Sequence, residues 1–291
     1  MNKIVLTGYS GFTGKYILNV ASYLGLEVSC LSEDGSSNSP PIDLLDYKSV
    51  HEKMQEINPN SLIHLAAISH VQHEPASDFY SINVGGTRNI LQALNGLHRE
   101  RFTNCIFASS ANIYGNSQEL VLSEDSPIEP VSDYGLSKKC MEEMLFLWKN
   151  KLPITIVRPF NYTGRGQTPN FLIPKIVNAF KEKKEKLELG NLDVYRDFSD
   201  VRFIADAYLK LANQKSCFRI LNLCSGNLTS IREIVSICST LTNHRLEVFS
   251  NPNFRRKNEI LKLKGDPRLM IKNLGFKSPY SMEDTISWML S

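Results

Sequence analysis

Short apolar runs of strand length alternate with stretches of helical periodicity through residues 3–158 of the chain. The run at residues 3–7 is rich in β-branched side chains, and residues 15–24 then place Ile17, Ala21 and Leu24 on one helical face before Gly25 ends the helix. Further strands are predicted over residues 26–31, 61–66, 104–109 and 154–158, and further helices over residues 47–57, 79–97 and 134–149. This alternation predicts an α/β fold with a doubly wound parallel sheet. Right-handed crossovers would bring the carboxyl ends of the strands to one edge, where ligands bind.

The regular alternation weakens after residue 158. Residues 160–175 are rich in Gly, Pro, Asn and Thr and predict irregular structure that frames a site, while the mixed charges at 181–186 predict a solvated helix end. We therefore predict a first lobe over residues 1–164 and a smaller lobe, mainly for substrate, over residues 165–291. Part of residues 195–224 is expected to return to the first lobe.

Composition narrows the class of protein. The chain has 291 residues, of which 42% are hydrophobic and 22% charged, so it is expected to be globular. Its net charge of +3 gives no sign of a nucleic-acid or membrane partner. The six cysteines show neither paired nor metal-ligand spacing, and we expect free thiols and no metal site. Since no apolar run is long enough for a signal peptide or a membrane span, we expect a cytoplasmic protein.

A glycine-rich turn separates the first strand from the first helix. Gly8, Gly11 and Gly14 are spaced G-x-x-G-x-x-G, one residue wider than the usual dinucleotide fingerprint. Glycines let a backbone turn tightly and approach a pyrophosphate, and the helix that follows offers free N–H groups and the positive end of its dipole. In this strand-turn-helix context the motif predicts a dinucleotide site.

The residues after the second strand bear on which dinucleotide is bound. Ser32 can donate a hydrogen bond to a 2′-phosphate, which favours NADP, whereas Glu33 or Asp34 could accept one from the ribose of NAD. These residues leave both dinucleotides open, and we expect NADPH or NADH, with NADP slightly favoured.

Three further side chains suit proton transfer. Tyr134 and Lys138 lie four residues apart and so share one face of a predicted helix, where the ammonium group would lower the pKa of the phenol. Ser110 follows the fourth strand, at the ligand edge, and could hold a substrate oxygen for Tyr134.

Together with motifs elsewhere in the chain, these residues resemble the extended short-chain dehydrogenase/reductases of the NAD-dependent epimerase/dehydratase family, which have a Rossmann sheet. The additional matching motifs are Asp43-Leu44, His64-Leu65-Ala66-Ala67, Asn83-Val84-Gly85-Gly86-Thr87 and Arg158-Pro159-Phe160-Asn161. The resemblance implies that Ser110, Tyr134 and Lys138 are catalytic. It implies cofactor contacts from Tyr134, Lys138 and a larger set of residues: Gly8, Ser10, Gly11, Phe12, Thr13, Gly14, Ser32, Asp43, Leu44, Leu65, Ala66, Ala67, Asn83, Ser109 and Arg158.

Finer features concern the reaction. Dehydratases of this family follow the catalytic Ser or Thr with Asp-Glu, and here Ala111 and Asn112 stand at those positions, so dehydration is not expected. The stretches 158–167, 190–192 and 196–202 resemble the GDP-4-keto-6-deoxymannose reductases and their NDP-hexose relatives. Phe203 and Lys257 depart from that pattern, where Asp and Pro are usual.

The resemblance implies a substrate that is a nucleotide sugar linked through GDP, dTDP or CDP. Its expected contacts are Ser110, Asn112, Asn161, Arg196 and Arg256. Arg196 is expected to bind the diphosphate, and Arg256 is a second candidate for which the neighbouring Arg255 could equally serve.

Our first hypothesis is a reductase of the C4 carbonyl of an activated 4-keto-6-deoxyhexose in polysaccharide precursor synthesis. A 4-epimerase that keeps NAD tightly bound is the alternative, and a non-catalytic dinucleotide sensor is a distant one. A homodimer is expected from the resemblance. His70 and His73 show no acidic partner at a fixed spacing and are interpreted as polar loop residues.

Overall fold

The computed structural model describes residues 3–31, 41–70, 73–97, 102–254 and 260–291. The strands are β1 (Ile4–Thr7), β2 (Val28–Leu31), β3 (Ser61–His64), β4 (Asn104–Ala108), β5 (Ile154–Pro159), β6 (Asn161–Thr163), β7 (Lys186–Leu189), β8 (Tyr195–Asp200), β9 (Arg219–Leu223), β10 (Leu228–Ser230), β11 (Glu247–Ser250) and β12 (Lys262–Leu263). The α-helices are α1 (Phe12–Tyr23), α2 (Tyr47–Ile57), α3 (Ser77–Tyr80), α4 (Thr87–Asn95), α5 (Asp133–Phe146), α6 (Leu172–Lys181), α7 (Val201–Ala212), α8 (Ile231–Thr242), α9 (Arg268–Leu274) and α10 (Met282–Leu290). A π-helix (Ser81–Gly86) lies between α3 and α4, and two short 3-10 helices cover Ala111–Tyr114 and Pro252–Phe254.

Six strands form the central sheet in the order β2-β1-β3-β4-β5-β9. The pairings among the first five strands are parallel. Thr7 is in register with Leu31 and with His64, and His64 with Phe107, so the carboxyl ends of neighbouring strands stop at one edge. The predicted α/β fold with a parallel sheet is confirmed.

Burial of both sheet faces explains the apolar strands. The first four strands in chain order are buried nearly throughout, apart from β2, and their side chains pack with α2, α4 and α5 in one hydrophobic cluster. Val50 and Met54 of α2 and Leu91 of α4 are fully buried in that cluster. The sequence prediction for α2 matches the structure at both ends, because Asp46 caps its first turn and Asn58 closes it in the left-handed conformation.

The helix predicted over residues 79–97 is wrong as a single helix. The structure divides this stretch into α3, the π-helix and α4. The hydroxyl of Thr87 donates to the carbonyl of Asn83 at 2.7 Å, and such back-bonding by Thr competes with the regular helical pattern. Hydrophobic periodicity cannot reveal this one-turn change.

Three other boundaries differ from the predictions. Helix α1 begins at Phe12 because Gly11 is its extended N-cap residue, and α5 ends at Phe146. Residues 160–175 are not wholly irregular, since they contain β6 and the first turns of α6. The partner of β6 is β8, more than thirty residues later, and no local pattern marks that pairing.

The chain folds as two compact units. The first unit comprises residues 1–115, 128–159 and 205–221 and carries the central sheet, while the second comprises residues 116–127, 160–204 and 222–291. In the second unit β8 pairs antiparallel with β10 and parallel with β6 and β12. A separate cluster there packs α6, α8 and α10 around side chains such as Phe180, Ile234 and Ile286.

All six cysteines are free thiols. No helix in the part of the chain that the structure describes is long and apolar enough to cross a bilayer.

Candidate functional site

The glycine-rich turn lies directly against the end of β3. Gly8 has a φ of +70°, and a Cβ added to it would lie 2.7 Å from the amide nitrogen of Ala66. A Cβ on Gly14 would lie 2.5 Å from the carbonyl oxygen of Gly8 and from the Cα of Tyr9. Both positions therefore require glycine, one for its backbone conformation and both for the close approach of main chain.

The first turn of α1 suits an anion. Its N-cap, Gly11, makes no side-chain capping bond, and the first turn contains no acidic residue. Gly11 is exposed, whereas Thr13 and Gly14 behind it are buried. Phe12 packs edge-on against Tyr16, with their ring centroids 5.5 Å apart. The positive end of the helix dipole, with no acidic side chain in its first turn, suits a pyrophosphate.

A buried histidine links the strand ends beneath this turn. The Nδ1 of His64 lies 2.7 Å from the hydroxyl of Thr7, and its Nε2 lies 2.9 Å from that of Thr87. Because Thr87 donates its own proton to Asn83, Nε2 must be the protonated nitrogen, and Nδ1 accepts from Thr7. Thr7 in turn accepts the N–H of Ala66 at 3.1 Å. Burial and the charge of Lys138 lower the pKa of His64 to about 3, so the ring is neutral.

Asn83 connects the loop after β3 to α5. Its Oδ1 accepts the N–H of Ile68 at 2.9 Å, and its Nδ2 donates to Ser137 at 3.0 Å. The sequence predicts that Asn83 contacts the cofactor, and the structure shows its fully buried amide bonded to the protein on both sides. Asn83 therefore aligns Ser137, which lies between Tyr134 and Lys138.

The other predicted cofactor residues surround the same strand ends. Leu44 is buried, and its side chain lies against the backbone of Gly86, where a Cβ would be 3.3 Å away. Asp43 accepts the N–H of Leu45 at 2.8 Å, and Leu65 donates to the carbonyl of Thr7 at 3.3 Å. The following residues are half-buried: Ser10, Ala66 and Ala67. Ser32 lies outside the described residues.

Tyr134 and Lys138 lie in the first two turns of α5, as predicted. The hydroxyl of Ser132 caps this helix by accepting the N–H of Gly135 at 3.2 Å. Tyr134 is 7% exposed, and its ring centroid is 5.9 Å from that of Phe79. The Nζ of Lys138 donates to the carbonyl of Ala108 at 2.7 Å, which directs the ammonium group to the carboxyl end of β4. Burial lowers the pKa of Lys138 to about 8, against the opposing charge of Glu142.

Ser109 and Ser110 follow β4 at the same edge. The Oγ of Ser110 accepts both the backbone N–H and the side-chain amide of Asn112, at 3.1 and 3.0 Å. Each of these bonds uses a lone pair, so the Ser110 proton is kept for another acceptor. The hydroxyl of Ser109 is buried and has no hydrogen-bond partner among the described residues. A buried hydroxyl of this kind can bond a polar group of a ligand or an ordered water.

Arg158 is engaged by the protein itself. Its Nε and Nη2 donate to the carboxylate of Glu142 at 3.0 and 2.7 Å, and its Nη1 donates to the hydroxyl of Tyr114 at 2.9 Å. Burial acts to lower the pKa of Arg158, but the hydrogen bonds and charge of Glu142 raise it overall. The sequence predicts a cofactor contact here and misses both partners. The spacing of Glu142, four residues after Lys138, was the signal available for one of them.

Two predicted substrate residues are described within the second unit. Asn161 is exposed on β6, in register with Phe198 of β8. The Nη1 of Arg196 donates to the carbonyls of Tyr195 and Leu261 at 3.0 and 3.2 Å. The remaining residue of this set, Arg256, lies outside the described residues.

The expectation that His73 lacks an acidic partner is wrong. Its Nε2 lies 2.8 Å from the carboxylate of Asp78, and its ring packs edge-on against Phe79 at 5.8 Å between centroids. The partner comes five residues later, at the start of α3, so the turn between them and not a helical repeat sets the contact. His70 is exposed.

Comparisons with known proteins show which family the chain belongs to. The model of the NAD dependent epimerase/dehydratase family matches residues 4–224. The chain is 35% identical over 273 residues to a GDP-6-deoxy-D-talose 4-dehydrogenase of Aggregatibacter actinomycetemcomitans, covering 94% of this chain and 91% of that protein. It is 28% identical over 309 residues to the GDP-6-deoxy-D-mannose reductase of Pseudomonas aeruginosa, covering 99% and 96%.

A solved structure shares the fold. RMD from Pseudomonas aeruginosa, complexed with NADPH, superimposes with a TM-score of 0.87 at 27% identity, over all of this chain and 98% of that one. The glycine turn, the start of α1, the orphaned Ser109 hydroxyl and the buried Lys138 all fit a nicotinamide dinucleotide. The chain belongs to the NAD dependent epimerase/dehydratase family and is an NAD(P)-dependent enzyme of the short-chain dehydrogenase/reductase type.

Proposed function

We propose that this protein is an NAD(P)H-dependent reductase that converts the C4 carbonyl of a nucleotide-activated 4-keto-6-deoxyhexose to a hydroxyl group. The observation that carries the proposal is the arrangement of Ser110, Tyr134 and Lys138 at one end of β4. Each of the three is less than one-tenth exposed. The same edge has Ala111 and Asn112 next to Ser110, and neither can act as the acid or base that dehydration needs.

The protein's own part is proton transfer and orientation. The reduced nicotinamide, when bound, supplies a hydride to C4 of the sugar and becomes oxidised. Ser110 donates its unused proton to the carbonyl oxygen and so stabilises the charge that develops there. Tyr134 transfers its phenolic proton to that oxygen, which completes the hydroxyl group. The ammonium group of Lys138 stabilises the resulting phenolate, which regains a proton from solvent.

The names of the relatives support both the reaction and the nucleotide. One relative is a 4-dehydrogenase of a GDP-6-deoxyhexose, and the reverse of that reaction reduces a 4-keto group. The other is a reductase named for a GDP-6-deoxyhexose. GDP is therefore the first nucleotide to test, followed by dTDP and CDP. Within the second unit, Asn161 and Arg196 stay predicted contacts of the nucleotide sugar.

NADPH is the first cofactor to test, because the structural neighbour with 27% identity was solved with NADPH. The family model describes NAD dependent enzymes, so NADH is the matched comparison.

A cofactor-consumption assay tests the proposal. Purified protein is mixed with NADPH or NADH and with GDP-, dTDP- and CDP-linked 4-keto-6-deoxyhexoses, and absorbance at 340 nm is followed. We expect one reduced nicotinamide to be consumed per sugar reduced, with a clear preference among the nucleotides. No consumption with any sugar, together with NAD released on denaturation of the protein, would contradict the reductase and favour the 4-epimerase.

We also propose a homodimer that uses α5. Leu136 and Phe146 on this helix are 41% and 38% exposed, and a partner copy would cover them. Sedimentation velocity is expected to show twice the monomer mass, and a monomer at micromolar concentration would refute the proposal.

A further inference from the structure

Outside the catalytic residues, one buried polar cluster joins three elements: α5, β5 and the 3-10 helix Ala111–Tyr114. Glu142 and Arg158 are 2% and 1% exposed, and two nitrogen atoms of the guanidinium group bond the carboxylate. The third nitrogen donates to the hydroxyl of Tyr114, and the ring centroid of Tyr114 lies 5.2 Å from the guanidinium carbon. Bidentate arginine–carboxylate bonds fix the orientation of the two groups relative to each other.

The positions of these residues relate them to the catalytic residues. Tyr134, Lys138 and Glu142 follow one another at intervals of four on α5 and therefore share one helical face. Tyr114 ends the 3-10 helix that begins directly after Ser110, and Arg158 lies on β5 beside β4. The guanidinium group thus ties together the helix that carries Tyr134 and Lys138 and the segment that carries Ser110.

We propose that Glu142, fixed by Arg158, is a positioning residue that keeps the ammonium group of Lys138 charged and aligned beside Tyr134. The inference rests on the proposed function of Tyr134 and Lys138. It assigns Arg158 a role through Glu142 in place of the direct cofactor contact that the sequence predicts.

The charges around Lys138 support this role. His64 of β3 and Glu142 of α5 interact electrostatically with Lys138, and Tyr134 lies one turn earlier on the same helical face. Arg158 of β5 bonds both Glu142 and Tyr114 of the 3-10 helix. His64 is neutral, and Glu142 supplies the negative charge next to the buried ammonium group. Burial lowers the pKa of Lys138 to about 8, and Glu142 acts against that decrease. Without Glu142, the first proton would leave the Lys138–Tyr134 pair at lower pH, whichever of the two groups loses it.

Arg158 has its own part, because a buried carboxylate without a partner strongly destabilises a protein. The two charge-assisted bonds from Arg158 hold the Glu142 carboxylate in place. Replacing Arg158 by another cation should therefore matter less than removing the charge of Glu142.

The experiment measures how NADPH and NADH binding depends on pH, using nicotinamide fluorescence and no sugar. The variants are Glu142→Gln, which removes the charge and keeps the shape, and Arg158→Lys, which keeps the charge and loses the bidentate geometry. For Glu142→Gln we expect the alkaline limit of binding to move down by about one pH unit. For Arg158→Lys we expect a lower melting temperature with the alkaline limit at its wild-type position.

A merely structural ion pair would lower the melting temperature of both variants and leave the alkaline limit of both unchanged, which would overturn the inference. An equal shift in both would overturn it as well. If Glu142→Gln does not fold, the double variant Glu142→Gln/Arg158→Gln has no unpaired buried charge and is expected to fold. Its alkaline limit should lie below that of Arg158→Gln, because these two variants differ only in the charge at position 142, and equal limits would refute the role of Glu142. Failure of the wild-type protein to bind either dinucleotide would overturn the proposed function, and the inference with it.

Discussion

Two buried polar clusters of this protein differ in how their charged and hydroxyl side chains are hydrogen-bonded. At the edge of the central sheet, the Ser109 hydroxyl has no hydrogen-bond partner among the described residues, and Ser110 keeps its proton after accepting two bonds. In the second unit, Asp197 on β8 accepts four bonds: from the N–H and the hydroxyl of Ser225, and from the N–H groups of Gly226 and Gly265.

Asp200, three residues later on β8, is satisfied as fully as Asp197. Its carboxylate accepts bidentate bonds from Arg202 at 2.9 and 2.7 Å and a further bond from Thr285 at 2.8 Å. The guanidinium group of Arg202 lies 3.9 Å from the ring centroids of both Tyr280 and Trp288. These charges hold the C-terminal helix to β8.

The comparison teaches how to tell a ligand-binding cluster from a structural one when both are polar and buried. A charged motif such as residues 196–202 attracts attention in the sequence, yet the acidic side chains in it are satisfied by the chain itself. The Ser199 hydroxyl on β8 also has no partner among the described residues, so an unpartnered hydroxyl alone does not mark a site. The sheet edge is distinguished by the combination of Ser109, the retained proton of Ser110 and the ammonium group of Lys138 at the end of one strand.

The largest expected effect comes from removing the proton donor. Tyr134→Phe keeps the ring and its contact with Phe79, and we expect kcat to fall by about 10²–10⁴ with an almost unchanged melting temperature. Steady-state kinetics and thermal unfolding measure the two. Turnover near the wild-type value would remove Tyr134 from the mechanism.

The next prediction distinguishes the cost of a positive φ from the cost of a steric clash in the glycine-rich turn. Gly8 and Gly25 both have positive φ, of 70° and 66°, but only Gly8 has main chain within 4 Å of an added Cβ. Gly25→Ala should lower the free energy of unfolding by about 1 kcal/mol. Gly8→Ala should lower it by about 3 kcal/mol, since a clash adds to the strain, and should abolish dinucleotide binding.

For the two glycine variants, urea denaturation measures the free energy of unfolding, and fluorescence titration with NADPH measures dinucleotide binding. Equal losses of stability, with binding intact in Gly8→Ala, would contradict the close approach of Gly8 to β3.

The structural cluster should respond in stability alone. In Asp197→Asn an amide NH₂ would face the N–H groups of Gly226 and Gly265, and we expect a loss of about 2 kcal/mol in the free energy of unfolding. Affinity for NADPH should not change. Asp193→Asn is the control, because that carboxylate is 78% exposed in its contact with Arg232, and its loss should cost less than about 0.5 kcal/mol. A drop in dinucleotide affinity for Asp197→Asn would break the distinction between the two clusters.

The smallest expected effect is a gain in the free energy of unfolding, whereas the other variants are expected to lose stability or leave it unchanged. Ser109→Ala removes a buried hydroxyl without a partner, so the free energy of unfolding should rise by about 1 kcal/mol while NADPH binds several-fold more weakly. Ser137→Ala is the matched control, since its hydroxyl is bonded to Asn83 and Tyr134, and there stability should fall. Loss of stability in Ser109→Ala would show that its hydroxyl is already satisfied in the free protein.

Much of this site follows from the sequence, because its signals are local. The spacing of Tyr134 and Lys138, the glycine turn and Ser110 after a strand all depend on neighbouring residues. The bonds of Asn83 and the partners of Arg158 do not, since they join residues from 15 to 54 positions apart across folded elements. Asn83 and Arg158 lie near the predicted cofactor edge, but their side chains bond the protein, and only the packed structure reveals this.

Transfer of a labelled hydride tests the central claim most directly. The protein is incubated with a GDP-4-keto-6-deoxyhexose and NADPH carrying deuterium on the transferred position of the nicotinamide, and the product is analysed by NMR. The proposed reductase places one deuterium at C4 of the sugar for each NADP⁺ formed, and Tyr134→Phe slows this transfer. A product without deuterium at C4, formed while the added NADPH stays reduced, would contradict the account.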